Sequence, residues 1–249
     1  MATLAEIRRH PVKGLGAQVM NEAMLRPGLG LPFDRRWAVA HAATSFDPEY
    51  PAWAKRSNFA VVAQVPRLAR TVAAYDEATG QLGLDHPEAE PISLTPEAEP
   101  ERLSAWVEAL CKGGRPGPYF LASLPGEAAL TDVEEAHLSI LSTRSLAVLS
   151  EVHGRALERH RFRGNLWIDG LDPWQEFEWV GREITIGPVR LRVTQRTGRC
   201  TAPGASPETG ERDADIVRLL AKRYGHTDFG VEAQVIEGGR IAPGDPVSA

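Results

Sequence analysis

The sequence predicts an α+β protein made mostly of β-structure. From Leu166 to Thr194 the chain runs in short β segments separated by glycine turns, a pattern typical of a β-barrel or a compact sheet. Amphipathic helices are few. Two with clear apolar faces are residues 101–110 (ERLSAWVEAL) and residues 213–224 (DADIVRLLAKRY). With 249 residues, the chain is long enough to bury one large core or two modest ones.

The N-terminal half is predicted to contain short strands joined by turns. The first strand starts at Leu4 and ends by Val12, because the residue before Pro11 is driven to extended geometry. Residues 45–57 are predicted to form a loop that packs aromatic side chains, and residues 86–101 a connection with little regular structure. Further strands are predicted at Asn21–Leu25, Phe33–Ala40, Val61–Val65, Leu68–Tyr75 and Gln81–Leu84, the last two as a hairpin.

A domain boundary is predicted near residue 125, giving an N-terminal β-rich domain (1–125) and a C-terminal barrel-like domain with peripheral helices (126–249). Ser142 and Thr143 precede a predicted helix over residues 145–155. Such a hydroxyl pair is typical of a helix N-cap and also of an anion site at a helix N-terminus, and the sequence alone favours the cap. The remaining predicted strands of this half are Leu138–Leu141, Leu166–Gly170, the segments between Phe177 and Thr194, Val231–Glu237 and Arg240–Val247.

Composition excludes several classes of protein. The net charge is −5, which argues against nucleic-acid binding, because such proteins normally carry a basic excess. Two cysteines far apart make no disulfide framework, so a reducing compartment is expected. The N-terminus lacks an apolar signal region and no stretch is long enough to span a membrane. A soluble cytoplasmic protein that binds neither nucleic acid nor membrane is therefore expected.

The stretch Gln195–Gly210 (QRTGRCTAPGASPETG) holds Cys200, one of the two cysteines. It follows an alternating segment, ITIGPVRLRVTQ, so Cys200 is expected where a strand gives way to a loop. The positive charges of Arg196 and Arg199 favour the thiolate form, which is a nucleophile or a soft metal ligand. The alternative is a small buried hydrophobic residue, the usual place of a free cysteine.

Basic residues lie at strand ends and glycine turns along the whole chain: Lys13, Arg35, Arg163 and Arg199. Ser142, Thr143 and Asn165 add further hydrogen-bonding groups. If they met in space, they would line an anion-binding pocket beside Cys200. Spacing along the chain leaves that convergence open.

The motifs together resemble those of the MOSC family, the molybdenum-cofactor-sulfurase C-terminal domain proteins, with the β-rich domain that often precedes MOSC. The resemblance covers essentially the whole length. It rests on His10–Gly14 (HPVKG), Asp34–Trp37 (DRRW), Ile140–Thr143 (ILST), Arg161–Asn165 (RFRGN), Gly198–Cys200 (GRC), Pro207–Gly210 (PETG), Asp228–Gly230 (DFG) and Gly244–Val247 (GDPV).

The resemblance implies a molybdenum cofactor (molybdopterin) site in which Cys200 is the metal ligand and the catalytic residue. The residues implied to hold the cofactor are Lys13, Arg35, Ser142, Thr143, Arg163, Asn165 and Arg199. The resemblance also implies an oxidoreductase that reduces N-hydroxylated or related small molecules and takes electrons from a separate donor protein. The alternative is a carrier of cofactor, or of sulfur bound to Cys200. An association with pyridoxal phosphate binding is implied as well.

Three positions depart from the family pattern. His10 replaces a tyrosine, Pro203 a threonine and Ser206 an aspartate. The last two lie in the loop that follows Cys200, so they bear on substrate preference. Some bacterial relatives carry a C-terminal iron–sulfur domain with four cysteines, and the 249 residues contain none, which is why a separate electron donor is expected.

Overall fold

The computed structural model describes residues 1–135 and 137–249, and it confirms a fold made mostly of β-structure. Three α-helices accompany the strands: α1 (Pro100–Leu110), α2 (Thr143–His153) and α3 (Ile216–Tyr224). The strands are β1 (Thr3–Arg9), β2 (Gln18–Met20), β3 (Ala23–Leu25), β4 (Trp37–Ala40), β5 (Val72–Asp76), β6 (Gln81–His86), β7 (Ala89–Leu94), β8 (Phe120–Ser123), β9 (Leu138–Ser142), β10 (Leu166–Asp169), β11 (Glu183–Ile186), β12 (Val189–Gly198), β13 (Asp228–Glu237), β14 (Gly239–Ile241) and β15 (Val247–Ser248).

Eight strands form the main sheet, in the order β15-β11-β12-β13-β9-β10-β1-β2. Its core follows from strand alternation. In β12, Val189, Leu191 and Val193 are buried, while the arginines between them face outward. The sheet takes β1 and β2 from the start of the chain and the other six strands from beyond residue 137. The division near residue 125 stays a prediction.

The predicted barrel is not closed in the part of the chain that the structure describes. The ladder of paired strands ends at β15 on one side and β2 on the other. The start of β1 meets the C-terminal segment at a single isolated bridge, between Thr3 and Pro246. One bridge does not make a ladder, so the architecture is an open eight-stranded sheet.

A second hydrophobic core lies in the N-terminal part, where α1 packs near the β5-β6-β7 sheet and the β4-β8 pair. Its members include Leu82, Leu103 and Val107, all with an exposed fraction of 0%. The apolar face predicted for residues 101–110 is thus confirmed, because Leu103, Val107 and Leu110 are all buried.

Helix ends differ from the predictions by a few residues, and the caps explain why. α2 begins at Thr143 because the hydroxyl of Ser142 accepts a hydrogen bond from the Ser145 amide at 3.2 Å. α3 begins at Ile216, three residues later than predicted, because Asp215 caps it. None of the helices in the described ranges has the length and apolarity needed to cross a membrane.

Several strand predictions were wrong. Val61–Val65 forms turns, and the predicted strand Phe33–Ala40 is reduced to β4 because Phe33 and Arg35 have positive φ angles of 57° and 51°. β7 lies in a region predicted as irregular, and β8 was not predicted. β8 pairs with the distant strand β4, and β7 pairs with the preceding strand β6. These partners supply the hydrogen bonds that hold both segments as strands.

Glu176, in the short 3-10 turn Gln175–Trp179, is fully buried, and we expect it to make the stability of the fold depend on pH. Burial raises the pKa of its carboxyl from the ordinary 4.5 to about 7, although the Ser145 hydroxyl donates to it at 2.9 Å. A raised carboxyl pKa stabilises the fold at low pH. We expect that stabilisation to be complete below pH 4.5 and lost as the pH rises to about 7, a change of about 3 kcal/mol.

The test is urea unfolding at pH 5 and pH 8 for the wild type and Glu176→Gln. The amide does not ionise, so the variant should lose less stability than the wild type between the two pH values. An equal loss in both proteins would contradict the assignment to Glu176.

Candidate functional site

A cavity of about 450 Å³ brings together basic side chains from distant parts of the sequence. Its volume lies in the range of small-molecule and cofactor sites. Of the residues predicted for the site, six line this cavity: Lys13, Arg35, Arg163, Asn165, Arg199 and Cys200.

The sheet explains how these residues meet. β1 runs antiparallel to β10, so the turn after β1, which carries Lys13, lies beside the turn before β10, which carries Arg163. At the other side, the end of β12 pairs with the start of β13, Gly198 opposite Asp228. Glu232 of β13 pairs with both Ser139 of β9 and Gln195 of β12, so the last residues of β12 lie across the sheet from the start of β10, and Arg199 and Cys200 follow them at the cavity.

Lys13 is buried, with an exposed fraction of 3%. Its ammonium donates to the carbonyl of Leu130 at 2.7 Å and to Asp132 Oδ1 at 2.6 Å. Burial lowers the pKa of Lys13 below its ordinary value, and Asp132 opposes that shift. The next residue, Gly14, packs closely against the backbone of Ala60. Only glycine fits there, because its φ is 82° and a Cβ would lie 2.1 Å from the carbonyl oxygen of Ala60.

Arg35 and Arg163 both occupy the left-handed region, with φ angles of 51° and 52°. Arg35 is paired with Asp34 and donates to the carbonyl of Arg163 at 2.8 Å, while Arg163 donates to the carbonyl of Leu15. This backbone conformation is costly for a side chain with a Cβ, and such strain concentrates at functional sites.

Burial, followed by the nearby charge of Arg35, lowers the pKa of Arg163 to about 10. The guanidinium therefore stays positively charged at neutral pH. One of its nitrogens, Nη1, donates to protein within the described ranges, so other N–H groups are available to a ligand.

Arg199 is more fully engaged than Arg163. Its Nε and Nη2 donate to the carbonyl of Phe229, the former at 2.8 Å, and Nη1 donates to the carbonyl of Phe162 at 3.0 Å. Its guanidinium also lies 5.9 Å from the ring centroid of Phe162 and 5.8 Å from that of Phe229. Burial lowers the pKa of Arg199 to about 10. Arg199 thus holds two segments together at the cavity wall.

The two cysteines occupy different environments. Cys200 is half-buried and carries a free thiol at the cavity, directly after β12. Cys111 is buried in the N-terminal core with an exposed fraction of 4%, and burial raises its pKa to about 11. A neutral thiol in an apolar core is inert. The thiol of Cys200, in contrast, is half-buried at the cavity, where a ligand can reach it.

Asn165 lines the cavity and also holds strands in place. Its Oδ1 accepts from the amide and the hydroxyl of Ser139, at 3.2 Å and 3.0 Å, and its Nδ2 donates to the carbonyl of Arg8 at 3.1 Å. Because these partners lie on β9 and β1, the Asn165 side chain links the strands that form this side of the cavity.

Ser142 and Thr143 are not brought to the cavity. Ser142 is fully buried as the cap of α2, and the hydroxyl of Thr143 donates to Asp169 Oδ1 at 2.8 Å. The structure therefore shows the cap that the sequence favoured. The β9 hydroxyl at the cavity is that of Ser139, three residues earlier and so on the opposite face of the strand.

Several residues of the cavity wall were missed from sequence: Arg56, Asp132, Ser139, Thr197 and Glu232. The hydroxyl of Thr197 is buried and has no hydrogen-bond partner among the described residues. Alternation does not mark Thr197, because the register of β12 shifts between Val193 and Gln195 and again between Arg196 and Gly198. No local pattern marks Asp132, whose role depends on the distant Lys13.

The fold and the cavity define a mostly β protein with a pocket lined by basic side chains and a free thiol. The chain belongs to the MOSC family: the MOSC domain matches residues 127–248, and the MOSC N-terminal beta barrel domain matches residues 1–111.

Similar proteins include the molybdenum cofactor sulfurase of Danio rerio, 29% identical over 155 residues, which are 53% of this chain and 18% of that protein. The mitochondrial amidoxime-reducing component 1 of Homo sapiens is 32% identical over 120 residues, 43% of this chain and 35% of that protein. The chain thus spans well under half the length of these relatives. The YUAD protein of Bacillus subtilis has a solved structure that aligns over 99% of this chain and 94% of its own, with 12% identity and a TM-score of 0.48.

The implied association with pyridoxal phosphate finds no support. That cofactor is held as a Schiff base on a lysine. Among the described residues that line the cavity, Lys13 is the single lysine, and its ammonium is tied to Leu130 and Asp132. An amine held charged in a buried ion pair is not a nucleophile.

Proposed function

We propose that the cavity binds molybdenum cofactor with Cys200 as a thiolate ligand of the metal, and that the protein thereby reduces small N-hydroxylated substrates. One observation carries the proposal. Lys13, Arg35, Arg163 and Arg199, which span most of the chain, line the same cavity as Cys200. A phosphate with a polar ring system needs several cationic and hydrogen-bonding groups, and a soft metal favours a thiolate.

The donor set of the cavity fits such a group. Arg163 retains unpaired N–H groups, and Thr197 presents a buried hydroxyl without a partner among the described residues. Lys13 and Arg35 add positive charge near an anion, while Arg199 and Asn165 fix the positions of neighbouring backbone. The bound cofactor would supply the redox-active metal, and these residues would bind and orient it.

The relatives support the same proposal. They carry the names of a molybdenum cofactor sulfurase and an amidoxime-reducing component. We extend to this chain a small N-hydroxylated substrate and electrons from a separate donor protein. The wall beyond the predicted residues includes Arg56, an exposed arginine that would face the substrate.

A carrier of cofactor or of sulfur is the second candidate. The half-buried free thiol of Cys200 favours it, because a persulfide carrier needs one accessible cysteine and no redox partner. The two functions differ in turnover: a carrier binds cofactor without reducing a substrate.

The test is expression in a host that makes molybdenum cofactor, followed by measurement of molybdenum and pterin per chain. We expect the two in equal amounts, together with reduction of a benzamidoxime by protein supplied with a reduced viologen dye. Protein that contains pterin and molybdenum but reduces no N-hydroxylated compound would favour the carrier. Protein without pterin would contradict both functions that depend on bound cofactor.

A further inference from the structure

Six arginines line the large cavity, and they differ in what holds their side chains. Five have partners among the described residues: Arg35 and Arg161 form ion pairs, Arg163 and Arg199 donate to backbone carbonyls, and Arg196 lies over the Phe177 ring, 4.3 Å from its centroid. The sixth, Arg56, is exposed, and its side chain forms neither an ion pair nor a hydrogen bond with any residue that the structure describes. The N–H groups of Arg56 are therefore available to a ligand.

The segment that carries Arg56 is held in place by the buried side chain of Asn58. The Oδ1 of Asn58 accepts from the Ser45 amide at 2.7 Å and from the Thr44 hydroxyl at 3.0 Å. Its Nδ2 donates to the carbonyl of Lys55 at 3.0 Å, directly before Arg56. Arg56 thus starts a short 3-10 turn whose backbone needs no ordering when a ligand binds, which lowers the entropic cost of binding.

The same segment contacts the part of the wall that carries Asp132. The indole N–H of Trp53 donates to the carbonyl of Thr131 at 3.1 Å. Burial alone would raise the pKa of Asp132, but the ion pair with Lys13 and, more weakly, the charge of Arg56 contribute to lowering it to about 2. Arg56 therefore lies near Asp132. Because Asp132 is already bound by Lys13 at 2.6 Å, Arg56 keeps its charge for a ligand.

Apolar residues lie next to this charged rim. Val61, Val62 and Ala63 follow the Arg56 segment along the chain, Val133 follows Asp132, and all four line the cavity. Ligand sites commonly combine an apolar wall with a few polar groups that fix orientation. A ligand that fits this side of the cavity has an apolar body and one anionic group.

Burial separates Arg56 from the cations that are proposed to hold the cofactor. Lys13 has an exposed fraction of 3%, and Arg163 is half-buried, whereas Arg56 is exposed. The attraction between opposite charges is strongest where water is excluded, so the cofactor phosphate is expected at the buried cations. Arg56 then faces a molecule that enters from solvent.

We propose that Arg56 is a specificity-determining residue that binds a carboxylate of the substrate, so that the protein prefers N-hydroxylated compounds with an anionic group on an apolar body. The inference rests on the proposed function and narrows its substrate class. A guanidinium binds a carboxylate through two parallel N–H···O bonds, which fix orientation as well as affinity. The N–OH group, at the other end of the substrate, is then left to face the interior of the cavity.

The kinetic test uses cofactor-loaded protein, a reduced viologen dye and three substrates: benzamidoxime, para-carboxybenzamidoxime and para-(aminomethyl)benzamidoxime. In the wild type we expect kcat/KM to be about tenfold higher for the carboxylate than for the parent compound, the effect of one charge-assisted hydrogen-bonded pair, and lowest for the amine. Arg56→Gln should remove this preference, mainly through KM, and Arg56→Glu should reverse it in favour of the amine.

Lys55→Gln is the matched control. It removes the same charge from the neighbouring residue, which is exposed and lies outside the described cavity wall. It should keep the wild-type preference for the carboxylate. If Lys55→Gln lost the preference as fully as Arg56→Gln, the net charge of the segment would control selectivity, and the assignment to Arg56 would be wrong.

Binding separates the inference from the reductase activity. Benzamide and para-carbamoylbenzoate resemble the substrates but carry no N–OH group, so their dissociation constants report recognition alone. In calorimetric titrations of loaded protein, the carboxylate should bind about tenfold more tightly than benzamide to the wild type and to Lys55→Gln, and equally tightly to Arg56→Gln. If the loaded wild type shows no turnover, the reductase proposal fails, and these titrations still decide the role of Arg56.

Pterin content and melting temperature complete the experiment. Both should match the wild type in Arg56→Gln, because the side chain is exposed and has no partner among the described residues. Equal selectivity of the wild type and Arg56→Gln, in kinetics or in binding, would overturn the proposal. Loss of pterin from Arg56→Gln but not from Lys55→Gln would also overturn it, because Arg56 would then hold the cofactor, with the proposed function intact. Wild type that takes up no cofactor would refute the inference together with the function on which it rests.

Discussion

Cys200→Ala is expected to abolish reduction of N-hydroxylated substrates in cofactor-loaded protein while the fold stays intact. Cys200 is half-buried and follows β12, where the chain leaves the sheet. Removing one sulfur at such a position should lower the free energy of unfolding by far less than the ~2–5 kcal/mol of a large-to-small change in a core. The loss of the thiolate would remove a soft ligand from the metal.

The variant should still contain pterin, because Lys13, Arg35 and Arg163 remain. Melting temperature, molybdenum, pterin and reduction with a reduced viologen dye are measured together. Cys111→Ala is the matched control: its thiol lies in the N-terminal core, so the substitution should lower stability by about 1 kcal/mol and leave activity unchanged. Wild-type activity in the Cys200 variant would disprove the ligand role.

The sequence was sufficient to locate the charged residues but not to bring them together. Each cation lies in a short motif at a turn, so its position could be read from local residues. Their convergence depends on β1 pairing with β10 across about 160 residues, which no local pattern specifies. The same limit explains Asp132, which enters the cavity wall as the partner of Lys13, 119 residues away.

Local geometry explains the predictions that failed. Phe33–Ala40 was predicted to be a strand with charged residues at its start, but positive φ angles at Phe33 and Arg35 bend the chain before β4. That bend places the Arg35 guanidinium against the carbonyl of Arg163. At Ser142 and Thr143 the hydroxyl pattern was compatible with a cap and with an anion site, and only the face of β9 distinguishes them. The strained segments are thus those that build the cavity, where local propensity is overridden.

Arg163 and Arg199, both half-buried in the cavity wall, are expected to respond differently to the same substitution. Arg163→Gln should weaken cofactor binding roughly ten- to hundredfold, the equivalent of the ~1.5–3 kcal/mol of one charge-assisted hydrogen bond. Its effect on stability should be small, because among the described residues its side chain donates to the carbonyl of Leu15 alone. Cofactor affinity is measured by pterin fluorescence during reconstitution of cofactor-free protein.

Arg199→Gln should lower the melting temperature of the cofactor-free protein more than Arg163→Gln does. All three nitrogens of Arg199 hold the carbonyls of Phe162 and Phe229, and a glutamine cannot reach both. Loss of these bonds leaves buried carbonyls unsatisfied.

Arg159→Gln provides the control for both variants. It removes an arginine from the same short turn as Arg163, but Arg159 lies outside the cavity wall and pairs weakly with Glu6 at 3.6 Å. Its cofactor affinity and melting temperature should stay near those of the wild type. Equal affinity losses in all three variants would mean that net charge, rather than the position of Arg163, controls binding. A larger loss of stability in Arg163→Gln than in Arg199→Gln would contradict the division of roles, because the carbonyl bonds of Arg199 would then not be what holds the cavity wall.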